Sequence, residues 1–533
     1  MSWRRPLIFL CLPAFILFTH SARAESPKNV IFMIGDGMGF EHVKAAGMYL
    51  NGTPGTLCFE SLPYQGQVTT YSASSSITDS AAAATAMATG HKVNNGVVSM
   101  AYPGDGSEYQ TILEIYKARG ARTGLVTTTV MTHATPACFG AHEPNRYNYS
   151  SIAGDYLNQT KPNTLLGGGA NGLTLSDATA AGYTVVTNNA SMQAIDTNTV
   201  SMLSGQFGTT HLPYEYDGLG TLPHLSEMTT TALDILDNDP DGFFLMIESG
   251  RIDHAASAND IARDVFETVE FHNTAQLMIN WATSRSDTLV LVTADHETGG
   301  LTVLQNNGQG NLPTVSWSTT GHTGTNVPVY AWGVNAQYVT GTLDNTQLFK
   351  IVNDPTPKIT LSPTTFTKSV SWGQNLPLNT DSFTVTNSGL GTMAYTITSD
   401  VGWGGTNPTA GSSSGEADTI WLVYDTASLT PGNYVGHLQV TSGSASNSPQ
   451  TVTVNLTVKS GPGDFDLDDD VDQEDFGRFQ ACLTGPTAPI TDPNCLDADL
   501  NQSSHVDSAD LPLFRKCLSG SHIPANPNCL SLP

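Results

Sequence analysis

Four short, wholly apolar runs, each ending in an acid or a cluster of hydroxyls, constrain this chain more than any other feature. Val30 to Ile34 leads to Asp36, Leu125-Val126 to Thr127, Thr128 and Thr129, Phe243 to Ile247 to Glu248, and Leu289 to Val292 to Asp295-His296. Runs this short and this apolar read as strands buried on both faces, as in parallel sheets covered by helices. Ligands of such sheets bind beyond the carboxyl ends of the strands, so these polar side chains are expected to converge on one crevice. The expected fold is α/β, a parallel-rich central sheet flanked by helices. One flanking helix is expected from about Ala258 to Trp281, with Ile261, Val265, Val269 and Ile279 roughly on one face.

A nucleophile candidate stands out separately. Thr78-Asp79-Ser80 runs into Ala81, Ala82, Ala83, Ala84, Thr85 and Ala86, which places one hydroxyl at the mouth of a helix of small residues. The free N–H groups and positive dipole end of such a helix favour an oxyanion over Ser80. Ser-Ala runs also occur where helices merely pack tightly, so the reading depends on the company this one keeps.

The chain divides into four segments. Arg4 and Arg5, an apolar stretch from Leu7 to Phe18 and Ala22-Arg23-Ala24 read as an export signal over residues 1–24. Its core is short for a membrane span, and the expectation is an exported protein that is periplasmic, secreted or at the cell surface. Residues 25–355 alternate strands and helices. Residues 356–460 lose nearly all charge and alternate with period two, as in Ser382 to Thr386, Tyr434 to Thr441 and Thr451 to Val458. Turn signals at Asn387-Ser388-Gly389 and Thr430-Pro431-Gly432 then argue a β-sandwich. This zone resembles bacterial immunoglobulin-like modules.

Residues 461–533 are an internal repeat. Asp464, Asp466, Asp468, Asp470, Asp472 and Asp475 fall at positions one, three, five, seven, nine and twelve of a calcium loop, with apolar Val471 eighth. Asp499, Asn501, Ser503, His505, Asp507 and Asp510 repeat the register 35 residues on, with Val506 eighth. Asp469 and Ser504 stand where a turn glycine is usual. The first loop, richer in carboxylates, is expected to bind more tightly. Each loop precedes a cysteine-bearing apolar stretch and a Pro-Asn-Cys, so one disulfide is expected within each repeat, Cys482 with Cys495 and Cys517 with Cys529. Thirteen acids against three bases in this segment call for a neutralising cation. The pair of loops resembles a dockerin module, which implies calcium and attachment to a partner protein. The net charge of −27 argues against a nucleic-acid partner.

Further motifs complete the crevice. Asn29 to Gly39, His133-Ala134-Thr135-Pro136-Ala137, Glu248-Ser249-Gly250-Arg251-Ile252-Asp253-His254, Thr293-Ala294-Asp295-His296-Glu297 and Thr320-Gly321-His322-Thr323-Gly324 occur in this order. With Ser80, they resemble the alkaline phosphatase family over most of residues 25–355. The resemblance implies hydrolysis of small phosphate monoesters through a phosphoserine at Ser80, with two zinc ions and one magnesium. Asp36, Asp295 and His296 would hold one zinc, Asp253 and His322 the other, and Asp36, Thr135 and Glu248 the magnesium. Arg146 matches the phosphate-gripping arginine, whose planar fork can hold two oxygens. His133 and His254 fall where the family tunes the magnesium and phosphate sites without ligating them. Mixed imidazole and carboxylate ligands suit zinc, and oxygen ligands suit magnesium.

One position departs from the family. Four residues after Asp253, where a histidine normally completes the second zinc site, stands Ser257. A neutral hydroxyl ligates zinc poorly, so that site is expected to bind its metal loosely. Cys58 and Cys138 read as buried small residues whose pairing the sequence leaves open, His272 as packed, and Gly167 to Gly169 as a strand-to-loop turn. Two alternatives remain at this point: a phosphodiesterase or sulfatase on the same scaffold, and a metal- or phosphate-binding scaffold with an assembly module. A homodimer is compatible with the sequence but not fixed by it.

Overall fold

In a computed structural model of the chain, residues 26–531 are described, apart from 373, 460 and 469. The export signal and Asp469 therefore lie outside the described residues. Residues up to 355 cluster with 389–391 as one unit, and 356–388 with 392 onward as a second.

Uninterrupted burial of the apolar runs makes them the centre of a ten-stranded sheet. β1 (Asn29–Gly35), β2 (Tyr64–Thr69), β3 (Arg122–Val130), β4 (Thr164–Gly168), β5 (Thr184–Val186), β6 (Leu203–Gln206), β7 (Phe243–Ser249) and β8 (Thr288–Thr293) are joined by Val327–Gly333 and Gly341–Asp344. The order is Gly341–Asp344, β2, Val327–Gly333, β8, β1, β7, β3, β4, β6, β5. Only Val327–Gly333 runs antiparallel, to β2 and to β8. Every residue of β1, β7 and β8 is buried, as strands covered on both faces require.

Register then positions the site. Ile34 lies level with Glu248 on β7 and with Thr293 on β8, and Thr127 of β3 is also level with Glu248. Asp36, Glu248 and Asp295 consequently leave the sheet at one edge. The long helix is Ile261–Ala282, and a separate short helix, Arg251–Ser257, precedes it. The expected start near Ala258 is thus too early: Asn259 takes a left-handed conformation (φ 53°) and Asp260 caps the amides of Ala262 and Arg263. Cys58 and Cys138 are both free thiols, and His272 accepts from the Cys58 amide at 2.9 Å.

In the second unit, Ile359–Ser362, Ser382–Asn387, Ala417–Tyr424 and Gly404–Asn407 form one antiparallel sheet. Thr365–Ser371, Gln450–Lys459, Gly432–Thr441, Met393–Ser399 and Ala410–Ser413 form another. Their alternating inward residues, among them Phe383, Val385, Ile420, Leu438 and Val454, share one core. Gly432 belongs to the strand rather than the turn before it. The last segment carries helices Gln473–Ala481 and Leu511–Cys517 over a small core of Phe465, Phe479 and Phe514, and both expected disulfides are present.

Candidate active site

α2 (Ser80–Thr89) begins at Ser80, and all ten of its residues are buried. Asp79 caps it, accepting from the Ala82 amide at 3.0 Å with one oxygen. The other oxygen takes the Gly96 amide at 3.0 Å and Nη1 of Arg146 at 2.9 Å. One carboxylate therefore fixes both the serine and the arginine. Arg146 is tied again by its own amide, which donates to the Gly96 carbonyl at 2.8 Å.

The Ser80 hydroxyl lies 3.3 Å from Nε2 of His296. That nitrogen also lies 3.3 Å from Oδ1 of Asp36 and 3.2 Å from Oδ2 of Asp295. These are not ion pairs. Thr298 gives its hydroxyl proton to Oδ1 of Asp253 at 2.6 Å and so accepts from Nδ1 of His296 at 3.1 Å, which leaves Nε2 bare. Burial first, and then His322, push the His296 imidazole down to about 3, so it is neutral. Three lone-pair atoms thus face one another with no hydrogen between them.

The carboxylates are just as unsatisfied. Both oxygens of Asp36, Oδ2 of Asp295, Oε1 of Glu248 and Oγ1 of Thr135 are buried without a hydrogen-bond partner. Burial, then Asp295, Asp253 and Glu248, push the Asp36 carboxyl well above its ordinary range. Burial likewise raises Glu248 to about 7 and Asp295 to about 6. Orphaned, mutually repelling buried acids suit a cation as their common partner. Ligands about 2.0 Å from a tetrahedral zinc lie about 3.3 Å apart, which is the spacing around Nε2 of His296.

Nearby groups are equally suited. Asp253, His296 and His322 bring one ligand atom each within 4.8 Å of one another, as do Asp36, His133 and Glu248. His322 donates from Nδ1 to the Thr78 carbonyl at 2.9 Å, turning Nε2 toward Asp253 at 3.5 Å. Glu248 is steadied at Oε2 by the hydroxyls of Thr127 and Thr129. Gly37, at φ 78°, passes so near that a Cβ would meet the Asp253 Cα at 2.9 Å, which only glycine avoids.

In the second unit, Asp464, Asp466, Asp468 and Asp475 bring oxygens within 4.8 Å of one another. Burial, then Asp475, raise Asp464 to about 7. Asp470 instead turns its carboxylate to the His522 amide. In the second loop Asp510 accepts from the Asn501 amide at 3.0 Å and Asp499 from Ser503 at 2.9 Å.

Sequence reading missed several residues here. Asp79 was visible only as the residue before Ser80, with no sign of its capping role or of its hold on the arginine. His42, buried between Asp264 (2.7 Å) and Glu297 (3.4 Å), and Thr298 carry no pattern that marks them. Nor does His211, whose Nδ1 accepts the Val130 amide at 3.1 Å.

Residues 27–314 and 305–355 match the model of the alkaline phosphatase family. Alkaline phosphatase 3 of Bacillus subtilis is 34% identical over 61% of this chain and 88% of its own length. The Escherichia coli alkaline phosphatase is 30% identical over 60% and 84%, and a Streptomyces griseus enzyme named streptomycin-6-phosphate phosphatase 31% over 66% and 97%. Among solved structures, the alkaline phosphatase of the Antarctic bacterium TAB5 superposes with a TM-score of 0.56 at 29% identity, covering 62% of this chain and 98% of that one. A histidine-to-aspartate variant of the TAB5 enzyme, solved with magnesium bound in its M3 site, matches at 28% identity and a TM-score of 0.56. Fold and relatives together define a phosphomonoesterase with a metal cofactor. The chain belongs to the alkaline phosphatase family.

Proposed function

We propose that Ser80 is the nucleophile of an exported, metal-dependent phosphomonoesterase and is transiently phosphorylated. The observation that carries this is the bare Nε2 of His296 beside the Ser80 hydroxyl, ringed by unpartnered oxygens of Asp36 and Asp295. Asp36, Asp295 and His296 would hold one zinc, Asp253 and His322 a second, and Asp36, Thr135 and Glu248 a magnesium. Bound there, the cations would lower the proton affinity of the attacking hydroxyl and offset charge on the attacking and departing oxygens.

The chain's own residues do the rest. Asp79 presents Ser80 at the open end of α2, where backbone N–H groups face an incoming oxyanion. Ser80 attacks phosphorus as its proton passes to solvent, the P–O bond to the ester oxygen breaks, and that oxygen takes a proton from water to leave as the alcohol; a second water then attacks phosphorus, the Ser80 oxygen regains a proton, and inorganic phosphate is released. Arg146, held by Asp79, grips the non-bridging oxygens. His133 and His254 flank that grip and tune it. Ser257 leaves the Asp253–His322 pair one imidazole short.

In the second unit, the alternating sheets support an immunoglobulin-like spacer. The clustered aspartates of the first loop support calcium binding in a dockerin-like module, with the second loop of Asp499, Asn501, Ser503 and Asp510 weaker, and a protein partner through that module.

The test is chemical trapping. Labelled inorganic phosphate, added at mildly acidic pH and quenched in acid, should leave label on Ser80 of the wild type. Ser80→Ala should lose the label and reduce kcat about a thousandfold or more. An alanine variant that hydrolyses p-nitrophenyl phosphate at the wild-type rate would refute the assignment.

A further inference from the structure

Beside Arg146, imidazole and guanidinium side chains gather around His133, whose ring also reaches Asp36 and Glu248. The rings of His133, His211 and His254 form a triangle with centroids 5.6 Å (His133 to His211), 5.9 Å (His133 to His254) and 4.7 Å (His211 to His254) apart. Nη2 of Arg146 lies 3.4 Å from Nε2 of His133, and Nη1 of Arg251 lies 2.7 Å from Nδ1 of His254. His133, His211, His254 and Arg251 are all partly exposed, so the cluster has an open side.

Lone pairs decide what it can bind. A guanidinium and a backbone amide only donate. The Val130 amide occupies Nδ1 of His211 and Arg251 occupies Nδ1 of His254, so in each neutral ring the proton sits on Nε2. By the same rule Arg146 makes Nε2 of His133 an acceptor and leaves a proton on Nδ1, which is buried without a partner. Nε of Arg251 is a second buried donor without one. With the lone pairs of His211 and His254 already taken, these two rings are poor metal ligands and good donors.

Charge points the same way. Among the described residues Arg251 has no ion pair. Its guanidinium lies 3.8 Å over the Tyr214 ring, while the nearest acids are engaged elsewhere, Asp217 with Arg263 at 2.9 Å and Glu267 with the Glu215 amide at 2.9 Å. In a chain with 48 acids and 21 bases, one guanidinium without an ion pair, set beside neutral imidazoles that present N–H donors, is complementary to an anion.

We propose that His211, His254 and Arg251 form a second oxyanion subsite, which receives a second phosphoryl group on phosphate monoester substrates such as sugar bisphosphates. The inference rests on the phosphomonoesterase reading above. A carboxylate shares the relevant chemistry, and the substrate pairs below separate the two.

Steady-state kinetics of the full-length metal-loaded enzyme test it. Glucose 1,6-bisphosphate should show a KM about tenfold below that of glucose 6-phosphate. Arg251→Gln and His211→Gln should each remove most of that gap, leaving kcat and all p-nitrophenyl phosphate parameters within about twofold. Arg251→Lys, which keeps the charge, should retain most of the gap and guards against loss through misfolding. A gap seen instead between 3-phosphoglycerate and glycerol 3-phosphate, and removed by the same variants, would assign the subsite to carboxylates. An enzyme that is active on p-nitrophenyl phosphate yet indifferent to a second anion overturns the subsite alone. One inactive on every ester overturns the parent reading with it.

Discussion

Ser257 closes the short helix that carries Asp253 one turn earlier, on the face an i, i+4 partner would share. On the zinc assignment proposed above, an imidazole there would add a third strong ligand to Asp253 and His322, so Ser257→His should tighten zinc at that pair by about tenfold or more. Competition with a chromophoric chelator reads this directly, and overlapping titration curves for the two proteins would dismiss it. His42 presents a different residue-level case. It is buried between Asp264 and Glu297; desolvation opposes its charge, but the two carboxylates hold its imidazole up at about 10. Because that lies above the free value of 6.5, the stabilisation is complete below about pH 6.5 and is lost as pH rises through about 10. Urea midpoints should therefore fall between about pH 8 and pH 10.5 in the wild type, and fall less in His42→Gln, which begins several kcal/mol weaker. At this scale the sequence revealed the residues that end strands or open a helix, Asp36, Glu248, Asp295 and Ser80, because burial patterns point at them. It did not reveal His42 or His211, which act through contacts between segments more than 80 residues apart, or Thr298, whose hydroxyl joins Asp253, 45 residues away, to His296.

The elements were more legible than their edges. Three apolar runs became the middles of β1, β7 and β8 because nothing polar interrupts them, and Leu125-Val126 became part of β3 together with its buried threonines, whereas the start of Ile261–Ala282 hung on the backbone angle of Asn259, which no hydrophobic period reports. α2 shows why its alanines are small. Ala81, Ala83, Ala84, Ala86 and Ala88 are fully buried, and the Cys138 thiol of the neighbouring helix donates to the Ala81 carbonyl at 3.1 Å. Ala84→Leu should cost about 1–3 kcal/mol through overpacking and move the Ser80 end of the helix, lowering kcat along with the melting temperature. A variant with lowered stability but untouched kcat would show that the helix transmits no strain to its first residue.

Across the whole molecule, period and composition separated a sheet-and-helix unit from an alternating one, although composition did not foresee that residues 389–391 cluster with the first. The two terminal repeats also do more than resemble each other. The Val471 carbonyl accepts from the Ser519 and Gly520 amides, and the Val506 carbonyl from the Thr484 and Gly485 amides, so each loop's eighth residue is clasped by the segment that follows the other repeat's helix. The Ser519 and Thr484 hydroxyls return the clasp, accepting the Val471 and Val506 amides at 2.8 and 3.1 Å. On the calcium-binding reading proposed above, such reciprocity predicts that the two halves order together. Calcium added to metal-free protein should then bring both loops to order in a single steep step, and Asp475→Asn in the first loop should blunt the response of the second.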